Sequence, residues 1–177
     1  ELVLAPGIMT LSDILRTALG AFSGTALIGP RTDTKTNELS IPNPMGPNLS
    51  GLDVTVALTE SMPPDDRIVL ENGGCYVHRF EHLEGSAPIL NKTKAGQPAI
   101  MGSKNIRYLA GWPDDATFTQ IIEDLCQERQ LETHKLPEGL RMRDTDAHRF
   151  VFNYAPYAQD WNGTTIEPAG VHWETLT

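Results

Sequence analysis

The residues His78-Arg79-Phe80-Glu81-His82 spell H-x-x-E-H. On a helix this spacing stacks two imidazoles one turn apart, where they can share a zinc ion with the glutamate as base. The flanking residues predict a strand instead, because Gly73, Gly74 and Gly85 bracket the motif and Tyr76, Val77 and Phe80 favour β structure. Residues four apart on a strand are separated by roughly 13 Å, whereas zinc holds its nitrogens at about 2.0–2.1 Å. One metal cannot touch both rings, and no metal site is assigned. The alternation expected of this strand puts Tyr76, His78, Phe80 and His82 on one face and Val77, Arg79, Glu81 and Leu83 on the other.

A second acid/base candidate is Asn37-Glu38, the kind of Asn-Glu pair that supplies a carboxylate in retaining glycoside hydrolysis. That chemistry needs another carboxylate held about 5–5.5 Å away. Glu38 lies in a polar stretch, residues 30–50, broken by Pro30, Pro42, Pro44 and Pro47, and the expectation is a solvated loop charge. Asp144-Thr145-Asp146 begins like a calcium loop but lacks the Gly and Glu required later, since Arg149 and Ala155 stand there; a hairpin turn is expected. Cys75 and Cys126 have no C-x-x-C spacing, and Cys126 reads as a packing residue. Ser12, Ser23 and Ser61 have no nucleophile-elbow context, and glycines 20, 24 and 29 form no phosphate cradle. Sequons at Asn48, Asn91 and Asn162 carry no weight without a secretory context. Trp112, Trp161 and Trp173 could stack on sugar rings, but core or interface roles are the plainer reading. The residues assign no catalytic, cofactor-binding or metal position, and no cofactor is implied.

Composition sets the frame for these side chains. The 177 residues carry 14 Lys plus Arg against 23 Asp plus Glu, a formal charge of −9 that argues against a nucleic-acid-binding surface. Forty per cent hydrophobic residues can build a core, and no run approaches the ~20 apolar residues of a membrane span. The chain opens inside an apolar run at Glu1, without the charged region or cleavage site of a signal peptide. The expectation is a piece of something longer, with a processed terminus as the alternative.

The elements that would position these groups begin with an unalternating apolar run, residues 2–5, expected to be a strand buried on both faces. Leu11, Ile14, Leu15, Ala18, Leu19 and Phe22 then form one helical stripe, with Thr10 and Asp13 at its start and Gly24 as its stop. Residues 25–29 give a second buried strand, completing a β-α-β unit of a parallel sheet. From 52 to 110 the pattern is β, with strands at 97–101 and 106–110. A second helix follows Trp112-Pro113, capped by Asp114 or Asp115 and burying Phe118, Ile121, Ile122 and Leu125. After a boundary near 135–137 come strands at 139–144, 148–154 and 171–176.

Three stretches taken together resemble the family 42 glycoside hydrolases, the β-galactosidases. Residues 1–31 are similar to the strand, Pro, helix, Gly, strand, Arg passage of that family's middle domain. Gly96-Gln97-Pro98-Ala99 and Tyr108-Leu109-Ala110-Gly111-Trp112-Pro113-Asp114 resemble its end. Leu136-Pro137-Glu138-Gly139-Leu140 and Arg149-Phe150-Val151-Phe152-Asn153-Tyr154 resemble the start of the small C-terminal β domain. The resemblance implies α/β architecture: a partial flavodoxin-like, amidotransferase-like parallel sheet with helices over 1–135, then a small antiparallel β domain over 136–177. It implies a cytoplasmic parent hydrolase whose (β/α)₈ barrel carries two catalytic glutamates that have no counterpart here. It implies a trimerisation role for the middle domain, so the expected partners are further copies of the chain or the missing barrel. This piece alone would be non-catalytic, serving oligomer assembly and support; a stand-alone carbohydrate-binding or oligomerisation module is the alternative. A sheet without its first strands would leave an open edge and uncovered apolar faces. Arg31, at the end of the second strand, is expected in a salt bridge or a trimer contact.

Overall fold

The computed structural model describes residues 1–176; Thr177, the last residue of the expected 136–177 domain, lies outside the described residues. The chain divides into two compact units, Glu1–Glu132 and a second beginning at Thr133. In the first unit the elements are β1 (Leu2–Ala5), α1 (Asp13–Gly20), β2 (Thr25–Ile28), β3 (Thr55–Ser61), β4 (Ile68–Val69), β5 (Cys75–Glu84), β6 (Ile89–Lys92), β7 (Pro98–Gly102), β8 (Ile106–Leu109), β9 (Gly111–Pro113) and α2 (Asp115–Glu128). The second unit holds β10 (Leu140–Asp144), β11 (His148–Asn153), β12 (Gln159–Trp161), β13 (Thr164–Ile166) and β14 (Val171–Thr175).

A five-stranded sheet runs β1-β2-β8-β7-β6. Only β1–β2 and β2–β8 are parallel; β7–β8 and β6–β7 are antiparallel. The expected parallel α/β sheet thus reduces to three strands and one β-α-β unit, and the described residues are mostly β with two helices. The reason lies in the connections. A parallel pair needs a crossover of a dozen or more residues, which the stretch between β1 and β2 and the long stretch between β2 and β8 supply, whereas β6, β7 and β8 follow one another through short turns. A second sheet, β3-β5-β4 with β9 on β5, is antiparallel.

The main core joins Ile28, Ile106 and Tyr108 of the first sheet to Val56, Tyr76, Phe80 and Leu83 of the second. On the other face of the first sheet, Leu27 and Leu109 pack on Ile121 and Leu125 of α2. Strand β2 is therefore buried on both faces, as its apolar run predicts. Asp114 is the N-cap of α2, its Oδ1 accepting from Thr117 N–H at 2.9 Å.

Two expectations for the first 20 residues fail together. Strand β1 is an edge strand with Leu4 42% exposed, not a doubly buried one. Helix α1 buries none of its residues: Leu11, just before it, is buried, but Ile14 is 81% exposed and Leu15 and Ala18 are also exposed. Ser12 rather than Thr10 caps this helix, accepting from Leu15 N–H at 3.3 Å. The apolar stripe is real, but within this chain there is little on its outer side to meet.

In the second unit, β10, β11 and β14 form an antiparallel sheet. Its core is Leu140, Val151 and Ile166, joined by Leu136, Met142 and Trp161. Asn153 is buried at the centre: its amide donates to the carbonyls of Tyr157, Ile166 and Glu167 at 2.8, 2.9 and 3.2 Å, and its oxygen accepts from Ala155 N–H at 2.9 Å. Four bonds use most of what an asparagine side chain can make. Asp144-Thr145-Asp146 lies at the β10–β11 hairpin, where Thr145 N–H donates to the His148 carbonyl at 2.8 Å.

Candidate functional site

Strand β5 is the element that decides what the H-x-x-E-H residues do. Its pairing with β9 shifts register between Val77 and Phe80, and His78 has φ of 66°. This bulge interrupts the alternation, so Tyr76 and Val77 are both buried, as are Phe80 and Glu81. The expected assignment of Glu81 to the face opposite Phe80, as one of two simple faces, is corrected accordingly: the bulge re-aims the carboxylate inward.

Glu81 is fully buried, and donors surround it. Tyr108 Oη donates to its Oε2 at 2.7 Å, and Arg31 N–H lies 3.1 and 3.3 Å from the two oxygens. Arg79 contributes Nε and Nη2, each 3.1 Å from Oε1. Burial, followed by the adjacent Glu81 charge, pushes the Tyr108 hydroxyl well above the ordinary phenol range. With its acceptor sites occupied by donors from β5, β8 and the segment after β2, this carboxylate holds three elements together and has no lone pair directed at a substrate.

Asp33 is the other buried carboxylate. Arg16 Nη2 donates to both its oxygens at 2.7 and 2.9 Å, and the N–H groups of Leu11 and Asn48 add bonds at 3.3 and 3.2 Å. Asp33 and Glu38 line one hollow of about 180 Å³, smaller than the roughly 300 Å³ at which ligand clefts begin. Its walls include Lys35, Thr36 and Asn37. Glu38 is exposed, and its backbone N–H donates to Thr36 Oγ1 at 3.3 Å. Both oxygens of Asp33 are held by Arg16 Nη2, so this pair does not offer the free nucleophile that a retaining mechanism requires.

The remaining candidates scatter. His78 is exposed, whereas His82 is half-buried, its ring edge 5.2 Å from Phe80, its Nε2 3.2 Å from Glu60 and its Nδ1 3.2 Å from Gln97. Among the described residues no three His, Cys, Asp or Glu side chains stand close enough to hold a metal ion. The Cys75 thiol donates to Asp114 Oδ2 at 3.1 Å, and burial, reinforced by that carboxylate, pushes it up. Cys126 is buried in α2. Arg31 has φ of 67°; its backbone serves Glu81 and its Nη2 points to Met9 Sδ at 2.8 Å. The indole of Trp112 lies against Gly7, Trp161 packs in the second core and Trp173 is exposed.

Sequence reasoning missed Glu81 and Asp33 as buried carboxylates. It did place Arg79 and Glu81 two apart on one strand face, which is the signal for their ion pair; nothing in the linear pattern says that this face points inward.

No family model matches the chain. It is 34% identical over 152 residues to a β-galactosidase from Thermus thermophilus and, over the same length, to the β-galactosidase BgaA of a Thermus sp. Each alignment covers 80% of this chain, and the chain spans only 23% of either relative. The fold is similar to that of a β-galactosidase from the psychrophilic Marinomonas ef1, at TM-score 0.84 and 27% identity over 98% of this chain and 28% of that one. It is also similar to a catalytic mutant of a GH42 β-galactosidase from G. stearothermophilus, at TM-score 0.75 and 15% identity over 97% of this chain and 31% of that one. Motifs, alignment and fold agree: the chain resembles a C-terminal portion of the family 42 β-galactosidases.

Proposed function

We propose that this portion is non-catalytic and serves the assembly and structural support of a β-galactosidase-like hydrolase. Residues 1–135 would be the later part of a flavodoxin-like, trimerisation-type middle domain, and 136–177 the small C-terminal β domain. The observation that carries the reading is the first 20 residues: β1 is an open edge and α1 turns Ile14, Leu15 and Ala18 to solvent. An amphipathic helix with no buried residue, beside an unpaired parallel edge, is a surface built for contact with more protein. The buried carboxylates agree, since both are consumed by structural donors. The parent would hydrolyse β-galactosides in the cytoplasm with a barrel that lies outside this sequence; among the described residues, no helix is long and apolar enough to cross a membrane.

The test is galactoside turnover by the purified 177 residues, with sedimentation to read self-association. No hydrolysis together with concentration-dependent association is the expected result. Hydrolysis that disappears on Glu38→Gln or Asp33→Asn would overturn the proposal. Saturable galactose binding abolished by Trp112→Ala or Trp161→Ala would favour a stand-alone sugar-binding module instead.

A further inference from the structure

Two loops of the second unit flank a hollow of about 400 Å³. One wall is the run Tyr154–Pro156 behind the end of β11, and the other is the turn Pro168–Gly170 ahead of β14. The ring of Phe152 stands beside that of Tyr154, their centroids 6.3 Å apart. The volume falls within the roughly 300–1,000 Å³ of small-ligand clefts. Neither Trp112 nor Trp161 lines it.

Asn153 makes this hollow rigid. Its buried side chain accepts from Ala155 N–H on the first wall and donates to the carbonyl of Glu167, next to Pro168 on the second. One asparagine thus fixes the separation of the two walls. Asn153 N–H donates to the Gly170 carbonyl at 2.9 Å, and Tyr154 N–H donates to that of Gly139 at 2.8 Å. Pro156 and Pro168 lock their own φ angles. A cleft already in its bound shape loses little conformational entropy when a ligand arrives.

The chemistry of the walls selects the ligand. Among the described residues no charged side chain lines the hollow, so an ammonium or a carboxylate would leave water for a site without a counter-charge. The N–H groups of Asn153, Tyr154, Ala155 and Gly170 already donate within the fold, and the two prolines have none. By contrast, the carbonyls of Ala155, Pro156, Pro168 and Ala169 accept no hydrogen bond among the described residues. A wholly apolar occupant would strip water from those carbonyls and replace it with nothing. The walls therefore call for a neutral ligand that donates hydrogen bonds. Tyr154, 73% exposed, adds an aromatic face for an apolar surface. We propose that the hollow binds a neutral sugar ring, with the C–H face of the ring on Tyr154 and its hydroxyls donating to the wall carbonyls. The site is independent of the assembly reading, because it shares no residue with β1 or α1.

The experiment is a titration of the full 177-residue chain with methyl β-galactoside, followed by amide NMR shifts. Saturable shifts centred on the amides of residues 152–155 and 169–170, with a dissociation constant of about 1–10 mM, are the expected result. Tyr154→Ala should weaken binding at least about tenfold, whereas Tyr154→Phe, which keeps the ring, should bind within about twofold of the parent. Melting curves check the fold. If Tyr154→Ala melts early, saturation transfer from the aromatic protons of the unaltered chain to the C–H protons of the sugar carries the test, and its absence overturns the inference. Glycerol, with hydroxyls but no ring face, and cyclohexanol, with a ring but a single hydroxyl, should not saturate the same amides. Equal binding of cyclohexanol, or binding untouched by Tyr154→Ala, overturns the inference. So does a failure to saturate by about 100 mM glycoside, or a proline-rich peptide that saturates these amides where the glycoside does not.

Discussion

Replacing Glu81 by Gln should cost the first unit about 3 kcal/mol. Glutamine keeps the volume of the side chain but exchanges one acceptor oxygen for an amide that only donates. In the native site Oε2 faces Tyr108 Oη at 2.7 Å and Oε1 faces Arg79 Nε at 3.1 Å, so either orientation of the amide sets a donor against a donor. Arg79, only 24% exposed, also loses its counter-ion. Breaking a buried ion pair from one side costs about 3–5 kcal/mol, and the partial exposure of Arg79 places this case near the lower bound. For a unit of this size that cost lowers the melting temperature by roughly 10 °C. Thermal unfolding followed by circular dichroism reads it directly. Glu84→Gln, an exposed position on the same strand, should stay within about 0.5 kcal/mol of the parent. An E81Q variant melting within about 2 °C of the parent, or a Glu84→Gln variant falling as far, would refute the account of Glu81 as a structural hub.

Asn153→Ala should destabilise the second unit by about 2–4 kcal/mol, since three carbonyls and one N–H lose their common partner; urea titration should show that unit unfolding first. The carboxyl of Asp114 is held below its usual range by hydrogen bonds from the hydroxyl and N–H of Thr117 and then by the Cys75 thiol. Its stabilisation is therefore full above the unfolded-state value of about 3.9 and lost as pH falls through the lower folded value. Asp114→Ala should cost about 0.5–2 kcal/mol at pH 7, and the gap between its denaturation midpoint and the parent's should narrow in acid. The same substitution removes one of the influences that raise the Cys75 thiol, so Cys75 should be alkylated several-fold faster at neutral pH in the variant than in the parent, read by mass spectrometry.

Much of this architecture follows from local pattern. The apolar run of β2, the stripe of α2 with its Asp114 cap and the β7–β8 and β10–β11 hairpins each follow from periodicity and turn residues in their own segments. The β12–β13 hairpin also had its signal, Asn162-Gly163 with φ of 51° and 81°, but those residues read as a sequon. The rest depends on partners distant in sequence. Whether the apolar run at 2–5 becomes a central or an edge strand depends on what pairs with its far side, which residues 2–5 do not encode. The inward turn of Glu81 depends on a bulge measured against β9, some 30 residues on, and on a phenol at Tyr108. The absence of a free carboxylate pair near Glu38 could be argued only once Arg16 was seen closing on Asp33.

Helix α1 spans eight residues, short of the roughly 12–15 at which a helix is even marginally stable alone in water. With no buried side chain of its own, it is kept in shape by the Ser12 cap, the Arg16–Asp33 tether and the packing of partly buried Leu19 on the main core. Its amide protons are therefore a built-in gauge. They should exchange with deuterium quickly in the bare chain and slowly once Ile14 is covered, so their exchange rate reports occupancy of that surface, whatever the identity of the neighbour.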